Sequence, residues 1–271
     1  MAPMTLVAAA QIDVAFADKA KNLATIRDRI HEAVARGVKL VCFPECAVSG
    51  YAFESVEHAR EVAEPVPGPA TEAIAAAGAW TVVGMLERAG ERVYNSAVLA
   101  GPGGVAHVYR KLHLPFLGVD RFAAPGDRAL AATETPAGRV GLNICYDGSF
   151  PETGRLLKLA GAQLIVLPTN WPEQARLSIQ HQSIVRAFEN HVNYVAVNRV
   201  GSEGGFRFPG GSRIVDFTGR VLAEAGEEAA LLVADLDLAG ADRNRLVFVP
   251  GRYEIDRLAH RRTDMYGPLS R

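Results

Sequence analysis

The stretch Val140–Trp171, VGLNICYDGSFPETGRLLKLAGAQLIVLPTNW, decides the fold. Val140, Leu142 and Ile144 alternate with Gly141 and Asn143, the two-residue period of a strand. Ser149 and Glu152 have the spacing of an S-x-x-E capping box with Pro151 inside the first turn, so a helix is expected from there to about Ala160. Leu164–Leu167 is a short unbroken apolar run, as in a strand buried on both faces. Strand, helix and strand in succession make an α/β unit. Ligand sites in such sheets lie beyond the carboxyl ends of the strands. Here those ends are Cys145 and the pair Asn170–Trp171.

The same alternation extends outward in both directions. Thr5–Ala10 reads as a strand, and Asp18 as the N-cap of a helix carrying Leu23, Ile26, Ile30 and Val34 on one face, with Gly37 as its stop. Leu40–Phe43 is a short strand cut off by Pro44, and Ala70–Ala77 is helical. Trp80–Leu86, Val93–Ala100 and Val105–Arg110 read as consecutive strands, the last two joined at the turn Gly101–Gly104. Downstream, Leu177, Ile184, Val185 and Phe188 mark one face of a further helix, and Tyr194–Val197 is a strand. Short strands near Arg213–Asp216, Val221–Ala225 and Leu231–Leu236 follow. Strands alternating with helices predict an α/β fold, and the runs of strands without helices predict that its sheet is partly antiparallel. With no linker or repeat in view, residues 1–271 are expected to form a single domain.

Composition excludes several function classes. Of 271 residues, 49% are hydrophobic, enough for a sizeable core, and the net charge of −1 offers no basic surface for nucleic acid. Arg257, Arg261 and Arg262 are interrupted by Asp256 and Asp264 and read as a solvated face. The opening MAPMTLVAAAQID lacks the pattern of a signal peptide, and no run is long enough to span a bilayer. Three cysteines do not make a disulfide framework. A cytoplasmic protein free of membrane and nucleic-acid partners is expected.

Four chemically capable positions follow four strands: Glu45, Lys111, Cys145 and the Asn170–Trp171 pair. If the strands are parallel and adjacent, these positions share one rim. A thiol of pKa about 8.5 needs help to act as a nucleophile at neutral pH. A lysine stabilises the thiolate, and a neighbouring carboxylate can take the proton, return it to a leaving amine and then activate water. The ammonium can also hold the oxyanion of a tetrahedral intermediate. Glu, Lys and Cys together therefore suffice for acyl transfer to water through a thioester. The C-x3-C pair Cys42 and Cys46 has no second pair to complete a zinc site and reads as core. His113 reads as a supporting residue, Trp171 as core or pocket wall, Asn170 as a candidate substrate contact, and Gly201–Gly205 as a flexible loop near the pocket mouth.

FPE at Phe43–Glu45, YRKLHL at Tyr109–Leu114 and NICYDGSFPE at Asn143–Glu152 resemble the three signature segments of the nitrilase, or carbon–nitrogen hydrolase, superfamily. AQID at Ala10–Asp13, SGYAF at Ser49–Phe53, PGD at Pro125–Asp127, LPTNW at Leu167–Trp171, RAFEN at Arg186–Asn190 and GGS at Gly210–Ser212 fall in the family's order, so the resemblance spans nearly the whole chain. It implies a four-layer αββα sandwich with mixed sheets, and no metal or organic cofactor. Glu45 would be the general base, Lys111 the oxyanion stabiliser and Cys145 the nucleophile, with the main-chain N–H of Tyr146 as second oxyanion donor. The resemblance also implies a homodimer or larger homo-oligomer. Tyr51, Asp120, Tyr146, Asn170 and Trp171 are the candidate substrate-binding residues. Many members carry a second glutamate before the PGD segment; here Val119 stands at that position and Asp120 is the nearest acid. CYD after the nucleophile resembles the amidase and carbamoylase branch more than the nitrile-cleaving branch. The expected reaction is hydrolysis of a small linear amide or N-carbamoyl compound by water, releasing ammonia or an amine. Transfer of the acyl group to an amine acceptor, nitrile hydrolysis, and a non-catalytic binding protein on the same fold are the rival readings.

Overall fold

The computed structural model describes residues 4–270; Met1–Pro3, at the head of the N-terminal segment read above, and Arg271 lie outside the described residues. Strand β1 (Thr5–Gln11) leads to helix α1 (Lys19–Ala35), whose first turn is capped by Asp18 accepting from the Lys21 N–H at 3.0 Å. The helix buries Ile26, Ile30 and Ala33 but leaves Val34 half-exposed, because the 3.6-residue period carries that position off the stripe. Then come β2 (Leu40–Cys42), α2 (Val56–Val62), α3 (Pro69–Ala75), β3 (Trp80–Ala89), β4 (Arg92–Gly101) and β5 (Gly104–Arg110). The second half runs β6 (Ala132–Thr135), β7 (Gly138–Leu142), α4 (Pro151–Leu159), β8 (Leu164–Pro168), α5 (Ser183–Asn190) and β9 (Asn193–Val197). It continues through β10 (Val200–Glu203), β11 (Phe206–Pro209), β12 (Arg213–Val215), β13 (Val221–Glu224) and β14 (Ala230–Leu236). Helix α6 (Leu238–Asp242) and the hairpin β15 (Arg245–Val249) and β16 (Tyr253–Asp256) end it.

Two six-stranded mixed sheets form, ordered β14-β1-β2-β3-β4-β5 and β13-β12-β9-β8-β7-β6. Strands β1, β2 and β3 are parallel, as are β7, β8 and β9, while the flanking pairs are antiparallel, some as hairpins and others, β1 with β14 and β9 with β12, between strands distant in the chain. The period-2 pattern sorts the side chains into layers. Val7 and Ala9 of β1 join Leu164 and Val166 of β8 in a core between the two sheets. Ala8 and Ala10 pack outward with Ile26, Ile30 and Ile74 of α1 and α3. Ile165 and Leu167 pack outward with Leu157 of α4 and Ala187 of α5. Helix, sheet, sheet and helix are thus the four layers of an αββα sandwich. A slip of one residue in β1 or β8 would swap inner for outer positions, so both registers are strongly specified.

Four sequence expectations change. The helix after Cys145 is not capped by Ser149: Cys145–Ser149 is a 3₁₀ turn, Phe150 is the N-cap of α4, and Pro151 opens the helix. The four chemical positions do not all sit on adjacent strands of one sheet. Glu45 and Lys111 follow β2 and β5 of one sheet, Cys145 and Asn170 follow β7 and β8 of the other, and the sandwich brings them together. The apolar face read for α5 is also not its buried face. A π-helical turn at Ser178–Gln182 precedes the helix, and Ser183, Ala187 and Asn190 are buried. Val185 and Phe188 are left about half-exposed and Leu177 more so. Gly201–Gly205 is no loose loop but part of the β10–β11 hairpin.

Candidate active site

Glu45 is set by a close backbone crossing. A side chain at Gly84 of β3 would place its Cβ 2.4 Å from the Cys46 nitrogen and 2.6 Å from the Glu45 Cα, so only glycine lets β3 brace this turn. The Gly84 N–H donates to the Pro44 carbonyl at 3.2 Å. Glu45 is fully buried, with Oε1 accepting from Lys111 Nζ at 2.7 Å and from Asn95 Nδ2 at 2.7 Å. Its Oε2 is buried with no partner among the described residues. Burial pushes the Glu45 carboxyl up, Lys111 opposes this, and Asp120 adds to the rise.

Lys111 leaves β5 into the same pocket and also donates to Asp120 Oδ2 at 2.6 Å. Burial works to lower its pKa, but the charges of Asp120 and Glu45 override it and hold the ammonium well above the usual lysine range. Asp120 accepts from three donors, Lys111, Asn95 (2.8 Å) and the Tyr51 hydroxyl (2.9 Å), whereas Val119 packs in the core beside Cys46 and Phe53. The acid one residue from the usual glutamate position therefore does reach the site.

Cys145 stands at the start of its 3₁₀ turn with φ +44°, a left-handed conformation that is strained for any residue but glycine. The turn is locked from below by Asp147. Its Oδ2 accepts from the Ile144 N–H (3.0 Å) and the Tyr109 hydroxyl (2.8 Å), and its Oδ1 from the His113 N–H (3.0 Å) and meets the ring Nδ1 (2.7 Å). Arg186 holds the Gly148 carbonyl at 2.9 Å. His113, stacked on Phe150 at 3.7 Å, thus supports the turn and does not face the thiol. Burial and the Glu45 charge push the Cys145 thiol up to about 12; Lys111, the Thr169 side chain and the Asn170 main-chain N–H pull the other way. Burial and the Glu45 charge thus outweigh the pull of Lys111 toward the thiolate. Cys42 and Cys46 are fully buried, their thiols pushed far above the ordinary range by desolvation. Among the described residues no cluster of His, Cys, Asp or Glu is arranged to hold a metal.

Above Cys145 opens a cavity of about 390 Å³ lined by Tyr51, Tyr146, Asn170 and Trp171, with Phe206 and Phe208 of β11 opposite. Asn170 is part of the lining, and both polar atoms of its buried amide lack a hydrogen-bond partner among the described residues. Trp171 is both pocket wall and core, its main chain clamped by the Asn198 side chain at 3.0 and 3.1 Å.

Sequence reading missed Asn95, Glu203 and the β11 aromatics. Glu203 accepts the N–H groups of Tyr51 and Ala52, each at 2.6 Å, and pairs with the fully buried Arg199, tying the β10–β11 hairpin to the Tyr51 loop. A polar Asn95 inside the buried run Val93–Ala100 was the one available signal, since buried amides need partners. Glu203 gave none, because the Tyr51 and Ala52 N–H groups it accepts lie about 150 residues away in sequence.

A cavity-lining thiol on a strained turn, a buried carboxylate with one oxygen unpartnered among the described residues and an ammonium between two acids are groups from which cysteine-hydrolase chemistry can be built. Residues 6–245 match the carbon–nitrogen hydrolase family, and the chain belongs to it. The chain is 36% identical over 243 residues to a nitrilase of Pyrococcus abyssi, covering 87% of this chain and 90% of that protein. It is 38% identical over 227 residues to an (R)-stereoselective amidase of a Pseudomonas species, covering 82% and 81%. A mutant form of the amidase from Nesterenkonia sp. AN1, in which acrylamide has added to the active-site cysteine, superposes with TM-score 0.82 at 26% identity over 98% of this chain and 99% of that one. The present protein is accordingly a cysteine-dependent hydrolase acting at a C–N bond of a small amide or nitrile.

Proposed function

We propose that residues 1–271 form one amidase domain that hydrolyses a small amide through a thioester on Cys145. The observation that carries this reading is the Oε2 of buried Glu45, which has no partner among the described residues and can give the thiol proton a place to go. As substrate enters, Glu45 takes that proton and the sulfur attacks the amide carbonyl. The Lys111 ammonium has two acceptors among the described residues for its three N–H bonds, so one is left for the oxyanion. The main-chain N–H of Tyr146 is the second donor. Protonated Glu45 then passes its proton to the leaving nitrogen, and ammonia or an amine departs. Glu45 next takes a proton from water, whose attack releases the acid and restores the thiol. Tyr51, Asn170 and Trp171 position the substrate, and Asp120 holds Lys111.

The test is ammonia release from a panel of small amides and nitriles, with wild type run beside Cys145→Ala. Ammonia from amides that disappears in the variant supports the reading; release from nitriles alone would overturn it in favour of a nitrilase. Asp120→Asn removes a charge-assisted hydrogen bond worth about 1.5–3 kcal/mol. It is expected to lower kcat/KM by about ten- to a hundredfold, measurable in the same assay.

The chain is further proposed to pair as a homodimer in a reducing, cytoplasmic compartment. Leu156 and Leu159 of α4 and Val185 and Phe188 of α5 are exposed, and Arg257 beyond β16 lies over the Phe188 ring at 4.1 Å. Large apolar side chains left exposed on two neighbouring helices support an association surface there. Phe188→Asp is expected to halve the mass measured by light scattering; an unchanged mass would place the interface elsewhere. The three cysteines are free thiols, as a reducing compartment keeps them. Among the described residues no helix is long and apolar enough to cross a membrane.

A further inference from the structure

We propose that the cavity selects amides whose acyl group is uncharged and apolar, aryl or branched alkyl, and discriminates against those bearing a carboxylate, including ω-amides of dicarboxylic acids and N-carbamoyl amino acids. This rests on the amidase reading above and narrows its substrate class. The walls beyond Cys145 are Tyr51, Leu117, Tyr146, Trp171, Phe206 and Phe208. Polar groups reaching the space, Ser149, Asn170, Gln174 and Ser178, are all neutral. Among the described residues no Lys, Arg, His, Asp or Glu lines it.

The cations nearby are already spent. Arg176 and Arg207 are chain neighbours of the lining residues Ala175, Phe206 and Phe208, but Glu173 pairs with both (2.6 and 3.3 Å) and Glu227 with Arg207 (2.5 Å). Arg121 donates to the carbonyls of Gly118 (3.1 Å) and Phe53 (2.9 Å). Beneath the thiol, one ammonium, Lys111, faces two carboxylates, Glu45 and Asp120. With both acids ionised, the floor of the site is net negative and repels a substrate anion. A carboxylate held in this cavity would lose its water and gain no counter-ion, which is unfavourable for a desolvated charge. An aryl or branched alkyl group gains instead from burial against the rings.

The experiment compares kcat/KM for glutaramate and for 5-methylhexanamide, in which an isopropyl group replaces the carboxylate at nearly the same size. Wild type is expected to favour the neutral amide by on the order of a hundredfold or more. Gln174, exposed at the mouth, offers the complementary test. Gln174→Arg is expected to improve glutaramate relative to the neutral amide by about tenfold, the scale of one charge-assisted contact. Wild type that turns over glutaramate as well as its neutral isostere would overturn the assignment and leave the amidase reading standing. Ammonia from neither amide, with no acyl adduct on Cys145 by mass spectrometry, would overturn the amidase reading and this assignment with it.

Discussion

Cys145→Ala is expected to abolish turnover, with a loss of up to about a millionfold if the thiol carries the covalent step. The remaining site can still bind substrate, because the cavity wall, Lys111 and Glu45 do not depend on the sulfur for their contacts. The left-handed backbone at this position is no better suited to alanine than to cysteine, so the variant should fold with little change in thermal midpoint. Loss of activity with an intact melting curve separates a chemical role from a structural one. Alkylation of the wild type gives an independent reading. Cys145 borders the cavity whereas Cys42 and Cys46 are fully buried, so iodoacetamide should label Cys145 in the native protein and the other two only on unfolding. Labelling should quicken as pH rises, since the neutral thiol predominates below its elevated pKa of about 12. Equal, slow labelling of all three thiols would remove Cys145 from the mechanism.

Glu45→Gln is expected to cost about a hundred- to ten-thousandfold in kcat/KM, the range for losing a positioned general base. Glutamine keeps the volume, and Lys111 keeps Asp120, so the buried ammonium is not stranded without a carboxylate. The pH profile makes the test specific. Glu45 must be ionised to accept the thiol proton, so activity falls as pH drops through its pKa. Burial raises that pKa, which places the acid limb above the ordinary carboxylate range. Lys111, held high by two carboxylates, should not titrate through the same region. The acid limb should therefore vanish in Glu45→Gln. A variant retaining both the wild-type rate and the limb would show that another group is the base.

Much of this protein was determined by local sequence. Alternation in Val140–Ile144 and the short apolar runs Thr5–Ala10 and Leu164–Leu167 mark strands, since side-chain direction alternates along an extended chain and a strand covered on both faces is apolar throughout. Asp18 caps α1 because a short acceptor at that place satisfies N–H groups only residues away. Glu45, Lys111 and Cys145 were legible because each closes a strand, and because their chemistry makes sense together. The tertiary structure decided the rest. It drew the site from two sheets, where the strand pattern suggested one rim, since nothing local says which sheet a strand joins. It set a π turn before α5 and left Phe188, on the apolar face read from the sequence, about half-exposed. It brought Asp120 to Lys111 across a loop whose glutamate position holds valine, and Glu203 to the Tyr51 backbone across the whole chain. These are contacts between distant segments, set by how faces pack. Local periodicity carries one element's own face, and it is silent on what that face will meet.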